Sequence, residues 1–157
     1  MAGAGEGAEI PRLPGARVLI VEARFYPAIN EMLLAGAQAV LAEAGVEIEH
    51  VVVPGALEIP PAIAIAHRSG HFDAYVALGC VIRGETSHYD LVAGESCRGN
   101  MDQGLTQSAP IGNGILTVEN EQQALVRADP RQQDKGGGAA RAALLLLALR
   151  RRFASAA

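Results

Sequence analysis

The stretch Arg83-Gly84-Glu85-Thr86-Ser87-His88 follows an apolar run, and nearly every residue in it can do chemistry. A glycine and small hydroxyl residues ahead of a helix leave backbone N–H groups free at the positive end of the helix dipole. Such a turn seats a phosphate or carboxylate; equally, Thr86 or Ser87 can serve only as a plain helix cap. No lysine follows in the nucleoside-triphosphate pattern, and no dinucleotide glycine pattern is present. His88 falls in the first turn of the helix beside this seat, where an imidazole can move protons near neutral pH. His50, His67 and His71 have no such setting and read as surface or rim residues. Phe25, in Arg24-Phe25-Tyr26-Pro27, is either a loop anchor packing on the next helix or a stacking platform for a flat heterocycle. Glu58, in Pro54-Gly55-Ala56-Leu57-Glu58, either favours a helix dipole or accepts hydrogen bonds from a polyol.

These loops share one edge if the elements around them are strands of a parallel sheet. Arg17–Glu22 reads as a buried strand, and Ile29–Ala44 as a helix with Ile29, Leu33, Ala37, Val40, Leu41 and Ala44 on one face and Gly45 as its stop. Val46–Val53 is a second strand. A helix follows with Pro60 and Pro61 tolerated in its first turn and Gly70 past its end. Ala74–Val81 is a third strand and a helix begins near Ser87. Ile111–Val118 is a fourth strand, interrupted by Gly112 and Gly114. Asn120 caps a short helix with Gln123 completing the box, and Gly138–Phe153 is a long final helix. Strand and helix alternate four times with no adjacent strands. This predicts an α/β fold: a three-layer αβα sandwich with a four-stranded parallel sheet, flavodoxin-like. Ligands of such sheets bind beyond the carboxyl ends of the strands, where the three loops lie. Each helix runs back from that edge, so Arg127 and Lys135 are expected at the opposite one. They are either surface charges or groups that reach a neighbouring subunit's site. Lys135, followed by Gly136-Gly137-Gly138, makes a second place for an anion.

Composition narrows the class. The 157 residues suit one domain, read as residues 16–157 behind a flexible arm of residues 1–15. Half the residues are apolar but only six are aromatic, three Phe and three Tyr with no Trp, so the core must be aliphatic. Thirteen basic against seventeen acidic residues leave a formal charge of −4, which argues against nucleic acid. All but one of the basic residues are arginine, which singles out Lys135 as a place for a compact ammonium. Cys80 and Cys97 make no disulfide framework and no metal-ligand spacing, so no metal is expected and the compartment reads as reducing. No signal segment is seen in the first fifteen residues, and the run Ala142–Leu149 is too short for a membrane span. The expectation is a soluble cytoplasmic protein with no membrane partner.

Three segments taken together carry a resemblance: Val53-Pro54-Gly55-Ala56-Leu57-Glu58-Ile59-Pro60; Leu78-Gly79-Cys80-Val81-Ile82-Arg83-Gly84-Glu85-Thr86-Ser87-His88; and Gly114-Ile115-Leu116-Thr117-Val118-Glu119-Asn120-Glu121-Gln122-Gln123-Ala124, with Arg127 and Lys135-Gly136. In this order and spacing the chain resembles the 6,7-dimethyl-8-ribityllumazine synthase family over residues 15 to 153. The resemblance implies the penultimate step of riboflavin biosynthesis. In that step 5-amino-6-(D-ribitylamino)uracil condenses with 3,4-dihydroxy-2-butanone 4-phosphate, without a cofactor. It further implies that Phe25 stacks on the pyrimidine, that Gly55, Ala56, Leu57 and Glu58 hold the ribityl chain, and that Val81 and Ile82 contact the ring. Gly84, Glu85 and Thr86 take the phosphate together with Arg127 of an adjacent subunit. His88 transfers protons, and Lys135 is supplied by a neighbour, in a site between subunits of a homo-oligomer.

The chain departs from the family pattern at two pocket positions. Tyr26 stands where many members have Asn, and Asn113 where many have an aromatic, which makes the far wall of the pocket more polar. Ala128-Asp129-Pro130-Arg131-Gln132-Gln133-Asp134 replaces the turn of sixty-subunit shells, which predicts a free pentamer. The alternatives are a flavin- or lumazine-binding module without turnover, a Schiff-base aldolase using Lys135, and a structural shell protein.

Overall fold

The computed structural model describes residues 9–155. Four strands, β1 (Arg17–Ala23), β2 (Glu47–Val53), β3 (Ala74–Ile82) and β4 (Ile111–Val118), form one parallel sheet in the order β2-β1-β3-β4. Helices α1 (Pro27–Ala44), α4 (Glu121–Ala128) and α5 (Lys135–Ser155) cover one face. Helices α2 (Ile59–Ser69) and α3 (His88–Gln107) cover the other, with a single 3₁₀ turn at Ala56–Glu58 ahead of α2. The α/β class, the four parallel strands and the helices on both faces agree with the alternation in the sequence.

The strand sequences explain the order. β3 is buried along its length except at Ile82 and takes a central place, as a continuous apolar run must when both faces are covered. β2 carries Glu47, Glu49 and His50 among its apolar residues and lies at an edge, mostly exposed. Even-numbered β1 residues Val18 and Ile20 join the core under α1 and α5, and odd-numbered Leu19, Val21 and Ala23 join the core under α2 and α3.

The helix stop and cap signals act as read. α1 opens at Pro27, two residues earlier than read, and Gly45 at φ +75° closes it with its N–H on the carbonyls of Leu41 and Ala42. Asn120 Oδ1 accepts from the Gln123 N–H at 2.9 Å, and the Gln123 side chain accepts from the Glu119 N–H at 2.8 Å.

Two further expectations change. α5 begins at Lys135, three residues earlier than read, because Gly136 and Gly137 are helical residues that let α5 press on α1. A β-carbon on Gly136 would lie 2.0 Å from the Leu33 carbonyl oxygen. Gly112 and Gly114 do not interrupt β4, which pairs with β3 from Ile111 to Val118. They are the places where α5 sits on the sheet: a β-carbon on Gly112 would lie 1.8 Å from the Ala139 carbonyl oxygen. Of the segment read as an arm, residues 1–8 lie outside the described residues. Ile10 and Leu13 rest on the core, and the Leu13 N–H donates to the Ala44 carbonyl.

Candidate active site

The three loops converge. A cleft of about 420 Å³ opens beyond the carboxyl ends of β1, β2 and β3. Phe25 and Tyr26 line it from the first loop and Pro54 to Glu58 from the second. Val81, Ile82, Gly84, Thr86 and His88 line it from the third. Phe25 is 70% exposed, an unusual place for an aromatic ring in a chain with so few. Its one aromatic contact is an edge against Tyr26, with centroids 5.0 Å apart at 72°. Of the two readings of Phe25, the loop anchor is therefore excluded, since an anchor would be packed. Glu58 stands exposed at the entry to α2 with its carboxylate turned back over the turn. A β-carbon on Gly55 would lie 3.3 Å from Glu58 Oε1.

The loop after β3 is held from both ends. The Arg83 N–H donates to the Val118 carbonyl, and the Arg83 side chain donates to Glu119 at 2.8 Å while lying over the Tyr89 ring at 4.2 Å. The Glu119 hydrogen bond is the main cause that pushes Arg83 above its ordinary value. Paired with Glu119, and with Asp90 at 3.8 Å, Arg83 braces the loop. Thr86 Oγ1 accepts from the His88 N–H at 3.3 Å, while Ser87, at the cap position, makes no side-chain cap bond. Among the described residues no backbone or side-chain acceptor is paired with the amides of Gly84, Glu85, Thr86 and Ser87. Those amides at the start of α3, a helix of 20 residues, make a positive concavity beside the exposed His88 imidazole.

Not every expected residue is in the cleft. Glu85 is exposed and does not line it. Asn113 is exposed on the edge strand β4, where its side chain accepts from the Ile115 N–H, and it borders a separate groove that meets the cleft only at Tyr89. Arg127 donates to the Gln123 carbonyl of its own helix at 3.0 Å. Lys135 opens α5 beside the second turn of α1. Neither residue reaches the opposite edge as expected, because α4 is only eight residues long and residues 129–134 turn the chain back. The second anion seat, at Lys135-Gly136-Gly137, is already filled by the chain itself. Asp134, at φ +46°, accepts from the Gly137 N–H at 3.2 Å. Burial raises the Asp134 carboxyl above the usual range, against the lowering effect of that bond and of Arg141.

Four lining residues, Ala23, Cys80, Tyr89 and Val92, escaped the sequence reading. Tyr89 follows His88 and was legible as one of few aromatics beside a catalytic candidate. Cys80 lies at the back of the cleft, and burial pushes its thiol up to about 11, so it is not a thiolate near neutral pH. Among the described residues no group of three or more His, Cys, Asp or Glu could hold a metal, and no helix is long and apolar enough to cross a membrane.

Comparison with known proteins places this cleft in a family. The family model described as 6,7-dimethyl-8-ribityllumazine synthase matches residues 15–151, which span every element that builds the cleft. A protein of that name from Novosphingobium aromaticivorans is 66% identical over 139 residues, covering 88% of this chain and 99% of the relative. One from Zymomonas mobilis is 62% identical over 121 residues, 77% of this chain and 86% of the relative. One from Xanthobacter autotrophicus is 56% identical over 154 residues, 95% and 93% of the two chains. A match of this extent, on a fold with its three loops gathered at one edge, means that the chain belongs to the 6,7-dimethyl-8-ribityllumazine synthase family.

Proposed function

We propose that this chain condenses 5-amino-6-(D-ribitylamino)uracil with 3,4-dihydroxy-2-butanone 4-phosphate in the cleft beyond β1, β2 and β3. The products are 6,7-dimethyl-8-ribityllumazine, phosphate and two waters. The observation that carries the reading is the meeting of Phe25, Glu58, His88 and the amide-rich turn of residues 84–87 in one cleft. The exposed Phe25 ring takes the pyrimidine, with Val81 and Ile82 along its edge. Gly55, Ala56 and Leu57 line the path of the ribityl chain, and Glu58 accepts its hydroxyl protons. The amides of Gly84, Glu85 and Thr86 seat the phosphate; Glu85 serves through its backbone.

The amine of one substrate and the ketone of the other form an imine with each other, so the protein contributes orientation and proton movement rather than a nucleophile. His88 takes the proton from the attacking amine and supports departure of the phosphate, while the free amides stabilise the leaving anion.

Asn113, Arg127 and Lys135 are supplied in this reading by an adjacent copy, a position supported by their absence from the cleft of their own chain. The assembly is a cytoplasmic pentamer. Residues 129–132 support this: Asp129 accepts from the Arg131 N–H at 2.8 Å and from the Gln132 side chain at 3.2 Å, folding a charged loop back on itself. Residues 16–157 form the catalytic domain.

The test mixes the two substrates and follows lumazine absorbance, with expected turnover well above the spontaneous rate. A rate no faster than the spontaneous one would leave only a binding module. Chains carrying Arg127→Ala and His88→Ala, strongly impaired apart, should regain activity when co-assembled. Verified mixing without recovery would show that both residues act within one chain.

A further inference from the structure

We infer that Glu22 is a positioning residue for the Phe25 platform, holding Arg24 and through it the turn that carries Phe25 and Tyr26 into the cleft. The inference rests on the reading that Phe25 stacks on the pyrimidine.

Glu22 interrupts the apolar run of β1 and is completely buried. Its register partner on β2 is Val52, and His50 is the partner of Ile20, so Glu22, Ile20 and His50 share the α1 side of the sheet. A buried carboxylate persists only with partners, and two are present. One oxygen meets His50 Nε2; the other lies 2.9 Å from Arg24 Nε as an ion pair without hydrogen-bond geometry, both atoms being buried and otherwise unpartnered. The far end of the Arg24 guanidinium meets the carboxylate of Glu31 on α1. Arg24 is therefore strung from the end of β1 to the second turn of α1, across the turn that holds Phe25 and Tyr26. The bond to Glu31 is the main cause that raises Arg24 above its ordinary value.

Two features set this apart from a stabilising ion pair. Arg24 lies between two carboxylates, Glu22 and Glu31, and is not among the residues that line the cleft. Phe25, 70% exposed, has one aromatic neighbour, the Tyr26 edge. The direction of its ring follows from the backbone turn, and the strap fixes the turn. A buried ion pair contributes little net stability compared with apolar residues of the same size, so an aliphatic side chain would serve the strand better unless the carboxylate acts on its neighbour.

The test measures steady-state kinetics with each substrate varied in turn, for Glu22→Gln, Glu31→Gln and Phe25→Ala. Glu22→Gln keeps the size and removes the charge. Its KM for the ribitylaminouracil should rise about fivefold, with kcat and the KM for the phosphate substrate within about twofold of the parent. Glu31→Gln, at the exposed end of the strap, should fold normally and shift the same KM in the same direction by about twofold. It therefore decides the matter if Glu22→Gln fails to fold. A lower melting temperature with both KM values unchanged would make Glu22 merely structural and overturn the inference. A raised KM in Phe25→Ala with neither glutamate variant affected would overturn the strap alone. An unchanged KM in Phe25→Ala would overturn the strap and the platform together.

Discussion

Alanine at Gly136 should destabilise the fold, whereas alanine at Gly138, two residues along the same helix, should stabilise it. Relative to alanine, a glycine inside a helix costs about 0.5–1 kcal/mol, and both substitutions recover that. At Gly136 the added β-carbon would lie 2.0 Å from the Leu33 carbonyl oxygen and 2.9 Å from its α-carbon, below the 3.0 Å that real β-carbons keep. Both obstacles are backbone atoms of α1, so no rotamer relieves them and α5 must retreat by about 1 Å from a close-packed face. Overpacking of this kind costs about 1–3 kcal/mol, leaving a net loss of up to about 2.5 kcal/mol once the helix gain is counted. At Gly138 no atom lies within 4 Å of the new carbon, and the gain stands alone. Urea unfolding followed by far-ultraviolet circular dichroism, at matched protein concentration, reads the difference as a shift in midpoint at constant slope. In a chain of this length each kcal/mol also moves the melting temperature by about 2–4 °C. Equal loss in the two variants, or a Gly136→Ala chain as stable as the parent, would refute the close α1–α5 contact.

His88→Ala should lower kcat by about a hundredfold with KM for both substrates little changed, as removal of a proton-transfer group requires; an unchanged kcat would remove it from the mechanism. With Cys97 replaced by serine, Cys80 should alkylate slowly at pH 8, where a thiol titrating at about 11 is about one part in a thousand thiolate. Its labelling rate should then climb about tenfold per pH unit toward pH 11; fast labelling at pH 8 would contradict the burial that causes the shift. If each site is completed by a second copy, turnover per chain should fall on dilution as the mass measured by light scattering falls. A constant turnover per chain across dissociation would show that one chain suffices.

The fold was readable because the β1 and β3 runs and the helix stops at Gly45 and Gly70 speak in local terms. Where reading stopped short, the cause is tertiary. Three successive glycines from Gly136 are poor helix formers, so the local signal starts α5 too late; only contact with Leu33 and Gly36 makes Gly136 and Gly137 the right residues. Gly112 and Gly114 look like strand breaks until Ala139 is placed over them. The cleft followed from the rule that parallel sheets bind at their carboxyl edge, which needs no side-chain detail. Glu22 carried a signal, a charge within an apolar strand, yet its partners His50 and Glu31 come from elements that only the fold brings near. Asn113, Arg127 and Lys135 could not be assigned a geometry from one chain, because nothing in their own chain brings them to the cleft.

The two faces of the sheet are coupled through β1. Successive side chains of that strand point to opposite sides: Glu22 turns toward α1, and Ala23 toward the face under α2 and lines the cleft. A rigid strand can therefore transmit what happens on the α1 side to the ring-binding side without any moving part. Repulsion or loss of charge at Glu22 alters Arg24, and the next residue along the chain is Phe25. The α1 face is also where α5 packs through Gly136 and where Lys135 begins, so the same layer that aims the aromatic platform fixes the position of the one lysine in the chain. If Phe25 and Lys135 act as proposed, a substitution in the α1–α5 seam has two routes to activity: through the turn after β1 in its own subunit, and through the position of Lys135. Orientation catalysis suffers from displacements of about 1 Å, so the tight glycine contacts of that seam bear on turnover as well as on stability.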